Sequence, residues 1–205
     1  MTSPTSARST LAIRQHGGDS MKTEQPRIAP LPREEWNEAA RDVFSFWEGP
    51  SAREHGSNSN VMMTLANHPR LALAQLEFGK YLLVESTLSA RQRELLIMRV
   101  AWHYHSHYQW AHHLVTVRRM GFADAEIEAL RRGPDDPVWS SDERALLSGI
   151  DQLCEAGRID DAIWSDLHRT MNRHQLMDML YSVGFFTMNA WAFSAMGIQL
   201  EPGFE

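Results

Sequence analysis

Apolar positions recur three and four residues apart along most of this chain, the spacing that gathers side chains on one face of an α-helix. In LPREEWNEAARDVFSFW, Trp36, Ala40, Val43 and Trp47 keep this period, and Pro32 stands where a first helical turn tolerates its missing N–H. EGPSAREHGSNSN reads as a loop from its Gly, Pro, Ser and Asn content. Asn60 is expected to cap a short turn, VMMTLANH, and Pro69 to open the helix PRLALAQLEFGKYLLVES. ADAEIEALRRG, SDERALLSGIDQLCEAG, DDAIWSDLHRTM and a long segment from about Arg173 to Met196 complete a helical set.

Local punctuation supports these assignments. Ser89 with Gln92, Ser106 with Gln109, and Ser140 with Glu143 each have the spacing of a capping box, in which two side chains satisfy each other's orphan backbone donors. The second box would divide the chain near residue 106, so that 103 to 105 finish one helix and 107 to 120 form the next. Gly121 and Gly157 are placed to end helices in the left-handed conformation. No stretch combines strict alternation with hairpin turn chemistry, so the predicted class is all-α. SARQRELL and SSDERALL resemble each other and hint at two similar helical halves.

The segment 176–200 is long and apolar enough to raise the question of a membrane span. It contains Asp178 and Asn189 and lacks a basic flank on its C-terminal side, so a buried helix of a soluble bundle is the expectation. Residues 1–28 are rich in Ser, Thr, Arg and Gly and are expected to form a disordered tail without a signal peptide. Met21 also reads like a natural start, which would make residues 1–20 an upstream extension. Residues 29–205 are expected to form one all-α domain. The formal charge of −6 and the absence of a basic stripe argue against nucleic acid, and the single cysteine fits a reducing, cytoplasmic setting.

Chemistry concentrates in HYHSHYQWAHH, residues 103–113, which holds five of the ten histidines. His103, His105 and His107 could be metal ligands, but the interrupted helix and the missing HExxH pattern weigh against that. Glu94, before the break, and His112 and His113, after it, lie on helices joined by a short connection. Such helices pack antiparallel and can bring a carboxylate to an imidazole, either as an acid–base pair or as a buried structural pair. Trp110, Tyr181, Phe185, Phe186 and Trp191 could line a pocket or serve as core, and Asn189 needs a partner within an apolar helix.

The segment 88–130, LSARQRELLIMRVAWHYHSHYQWAHHLVTVRRMGFADAEIEAL, resembles the carboxymuconolactone decarboxylase / alkylhydroperoxidase D-like superfamily. The residues that carry the resemblance are Arg93-Glu94-Leu95, Tyr108-Gln109-Trp110 with His113, Gly121, and Glu126-Ile127. The hydroperoxidase branch places a Cys-x-x-Cys pair at the positions of Ser106 and Gln109. Neither residue can form a disulfide, so dithiol peroxidase activity is not expected.

The resemblance implies an AhpD-like helical bundle and a lyase of the decarboxylase-like branch, acting on a carboxylated lactone or similar compound in aromatic catabolism. His113 would donate the proton or stabilise an enolate, and Glu94 would hold its tautomer. Tyr108, His112, Arg99, Trp110 and Asn189 would contact the substrate. The expected partner is a small-molecule substrate, with no cofactor, metal, nucleic acid or membrane, and the resemblance further implies a homotrimer or homohexamer. Two alternatives stand beside it: a helical oligomer whose site has become structural, and a metal enzyme built on His103, His105 and His107.

Overall fold

The computed structural model of the chain describes residues 25–204. Among them there are helices and no strands, as the patterning predicts. The helices are α1 (Glu38–Glu48), α2 (Ala52–His55), α3 (Asn60–Leu65), α4 (Pro69–Lys80), α5 (Ala90–His103), α6 (His107–Arg119), α7 (Asp124–Arg132), α8 (Ser141–Ala156), α9 (Asp161–Thr170) and α10 (Arg173–Met196).

The N-terminal region departs from the expected pattern. Pro32 precedes only a short 3-10 turn, Arg33–Glu35, and α1 starts after Asn37, whose side chain accepts from the Ala40 N–H. Trp36 therefore lies outside the helix, where its indole donates to the Leu31 carbonyl at 3.0 Å. The expected loop after α1 contains the single-turn α2. Ser59, not Asn60, caps α3. The α4 helix runs on through a wider-wound turn, Tyr81–Glu85. The expected tail falls largely on residues 1–24, outside the described residues. Its last part is held, since the Arg27 and Ile28 N–H groups donate to the Met196 carbonyl.

Helix α5 is the centre of the main core. Every residue from Glu94 to Ala101 is buried. It packs against α6, α8 and α10. A second apolar cluster joins α1, α3 and α4 through Val43, Phe44, Met62, Ala72 and Leu76. A small third cluster gathers Val61, Tyr108 and Phe193 from α3, α6 and α10. Gly79 allows α4 to approach α10 closely, because a Cβ there would stand 2.9 Å from the Phe185 ring.

Helix α10 buries one face, including Met179, Val183 and Phe186, and leaves Met177, Tyr181, Met188 and Trp191 exposed. Among the described residues no helix is long and apolar enough to cross a membrane.

Candidate active site

The turn between α5 and α6 is short and sharply reversed. His105 adopts a left-handed conformation, φ 52°, which a side chain other than glycine enters only at some cost. The reversal lays α6 back along α5. Glu94, one turn into α5, then faces His113, two turns into α6, with Glu94 Oε2 2.7 Å from His113 Nδ1. The carboxylate is almost fully enclosed, its side chain only 5% exposed, while the imidazole is 19% exposed. A carboxylate accepting from Nδ1–H leaves Nε2 as the nitrogen available to a guest.

His113 lines a cavity of about 350 Å³ between α1, α3, α4, α6 and α10. Its walls are mainly apolar, with Trp47, Leu76, Phe185, Phe186 and Phe193 prominent. Polar groups enter through Glu48, Gln75, Gln109, His112 and Asn189. Asn189, the polar oddity of α10, accepts from the Gln75 side chain at 3.0 Å.

A second carboxylate–imidazole pair stands beside the first. After α10, the chain carries Glu201 back over α6, where its Oε2 lies 2.7 Å from His112 Nε2. Glu201 Oε1 accepts from the Tyr108 hydroxyl and the Asn60 N–H, both at 2.6 Å. Burial alone would raise the Glu201 carboxyl, but its bonds to His112, Tyr108 and Asn60 outweigh burial and bring it down to about 2. Burial, then the Glu201 carboxylate, push the Tyr108 phenol well above its usual range. The His112 ring is sandwiched between Tyr108 and Phe204, with centroids 4.4 and 4.1 Å away.

Residues 69–150 match the family described as Carboxymuconolactone decarboxylase family. That span contains both Glu94 and His113. The fold is similar to an uncharacterized peroxidase-related protein with an alkylhydroperoxidase AhpD core from Ralstonia eutropha JMP134 (TM-score 0.70, 18% identity, 86% of this chain and 94% of that one). It is also similar to a peroxidase-related protein from Silicibacter sp. TM1040 (0.66, 21%, 94% and 100%). A third similar fold is the debrominase Bmp8, seen in complex with 2,3,4-tribromopyrrole (0.67, 16%, 88% and 95%). No curated protein matches the chain. The family match spans less than half of the chain, and what the solved structures share with it is an AhpD-like helical fold.

Ser106 and Gln109, where the resemblance places the hydroperoxidase cysteines, do not form the capping box expected of them. Ser106 stands at the start of α6 but its side chain caps nothing. Its hydroxyl is buried without a partner. Gln109 points instead toward α10 and donates to the Phe186 carbonyl at 3.1 Å. Cys154, the single cysteine, sits on α8, and burial pushes its thiol up to about 11. A thiol so raised is a poor nucleophile near neutral pH.

Of the residues expected to contact substrate, Tyr108, His112 and Asn189 line the cavity, as do Phe185 and Phe186. Two others are committed elsewhere. Arg99 forms a two-pronged pair with Asp151 at 2.6 and 2.8 Å and donates to the Leu130 carbonyl, tying α5 to α7 and α8. Trp110 packs against Trp102, and the Arg131 guanidinium lies over its ring. Tyr181 and Trp191 face outward. His103 ends α5, His105 lies in the turn and His107 begins α6. Among the described residues no three His, Cys, Asp or Glu side chains are grouped to hold a metal ion.

Glu201, Glu48 and Gln75 were not legible as site residues. Glu201 is remote in sequence and carries no local motif, and Gln75 looks like any polar position on α4.

Proposed function

We propose that this chain is a small-molecule enzyme that moves protons with His113, held in its working tautomer by Glu94. The observation that carries the reading is the juxtaposition of an enclosed carboxylate–imidazole pair with a cavity large enough for a guest. A pair kept for stability alone has no need of an open space beside the imidazole. Decarboxylation of a carboxylated lactone, isomerisation and retro-aldol cleavage all require such a group, because each passes through an enolate that must gain or lose a proton. The apolar walls exclude water and strengthen the interaction between the imidazole and the developing charge. The brominated pyrrole held by the Bmp8 debrominase supports a ring compound as the kind of guest this fold accepts.

The test is turnover of a panel of unsaturated lactones and enolisable ring compounds in deuterated water, followed by NMR for deuterium uptake or loss of carbon dioxide. His113→Gln is expected to abolish conversion while the melting temperature changes little. A His113→Gln protein that is strongly destabilised, with no wild-type conversion of any compound, would overturn the reading and make the pair structural.

A further inference from the structure

We propose that the substrate enters this cavity uncharged, as a ring compound bearing a hydroxyl or ring N–H, and not as a carboxylate. The inference builds on the proton-transfer reading above and narrows its substrate class, leaving isomerisation and retro-aldol cleavage and setting decarboxylation aside.

The first support is the distribution of charge. Three carboxylates surround the cavity. Glu48 is a wall residue whose carboxylate accepts from Ser57 and Asn58, Glu94 stands behind His113, and Glu201 stands behind His112. The lining residues include neither Lys nor Arg among the described residues. Arg99, the cation expected to bind substrate, is spent on Asp151. The groups left to balance a bound anion are two imidazoles, and each already serves a carboxylate. An arriving carboxylate would therefore meet a negative field inside a space of low dielectric.

The second support is the polarity of the amides. Gln75 and Gln109 both line the cavity, and each donates one N–H within the protein, to the Asn189 side-chain oxygen and to the Phe186 carbonyl. Their oxygens, Gln75 Oε1 and Gln109 Oε1, are buried and receive no donor. A guest O–H or N–H would supply the missing donor with a small shift of either amide, whereas a guest carboxylate has no donor to give them.

The chemistry closes without an oxidant or reductant. The guest's O–H or N–H bond breaks as the proton forms an N–H bond at His113 Nε2, and the electron pair stays on the guest and delocalises into its ring. Negative charge then appears only next to the new imidazolium, which Glu94 stabilises from the other side. Return of that proton to a ring carbon completes a tautomerisation.

The experiment is isothermal titration of the full chain near pH 7 with 2-naphthol and with 2-naphthoate, which share a bicyclic skeleton and differ in charge. 2-Naphthol is expected to bind at least about tenfold more tightly. Glu48→Gln should narrow that gap by improving naphthoate binding, and Gln109→Leu should weaken naphthol several-fold while the thermal transition is kept. Equal or tighter binding of naphthoate, or binding of neither, overturns the proposal. Deuterium exchange at the ring carbon beside the naphthol hydroxyl is read in parallel. Naphthol preference without accelerated exchange sinks the proton-transfer reading and leaves the substrate class standing. Acceleration with a carboxylate preference does the reverse.

Discussion

Glu201, from the far end of the chain, stands behind the cavity wall and organises two residues that line it, His112 and Tyr108. Its carboxyl is ordinarily protonated near 4.5 and is held at about 2, so the sign of its pH dependence follows directly. The depressed value means that its bonds to His112, Tyr108 and Asn60 are fully present above about pH 4.5. They are lost as the pH falls from there toward about 2. Acidification should release the segment after α10 from α6 before the main core unfolds. The check is hydrogen exchange at the Asn60 amide, and Glu201→Gln should remove the acid step. Glu94 is a different case. Replacing it with Gln keeps the shape but withdraws the charge that stabilises an imidazolium, and conversion is expected to fall by about 10²–10⁴-fold. The kinetics of that variant, read against its melting temperature, separate proton handling from packing.

Helix boundaries show when a local signal can be trusted. Ser140 accepts from the Glu143 N–H, and the Glu143 side chain accepts from the Ser140 N–H. The same reciprocal pair forms at Ser89 and Gln92. Ser106 and Gln109 have the same spacing, yet Gln109 is drawn away to the Phe186 carbonyl on α10 and Ser106 is left without its cap. Ser140→Ala is therefore expected to cost about 1 kcal/mol in urea unfolding. Ser106→Ala should be close to neutral, because it removes a buried hydroxyl that bonds to nothing. A cost at residue 106 as large as that at residue 140 would contradict the arrangement described here.

At the scale of the molecule, one face remains unexplained by the fold alone. Met177, Tyr181, Met188 and Trp191 recur along α10 at helical spacing and are 45–60% exposed. Phe78, from α4, stands against Tyr181 and extends this face. Exposed apolar patches of this kind mark association surfaces, and the expected homo-oligomer would use this one. Light scattering should then show an assembly larger than one chain, and Tyr181→Glu with Trp191→Glu should reduce it to single chains. A monomeric wild type would refute this use of the face.

The all-α class, most helices, two of the three capping boxes and the facing of Glu94 by an imidazole of His112 or His113 were legible in the chain because each depends on neighbours within about twenty residues; the resemblance singled out His113. Periodicity reports burial of a face, and a short connection between helices leaves little freedom except an antiparallel return. Tertiary structure decided everything that needed distant partners. It placed Glu201 on His112, and it assigned Gln75 to Asn189. It drew Arg99 and Trp110 away from the cavity, because Asp151 on α8 and the Trp102 and Arg131 side chains offer them better company than a guest would. Which side chains converge on one space depends on how separate helices cross, and residue spacing along a single helix carries no record of that.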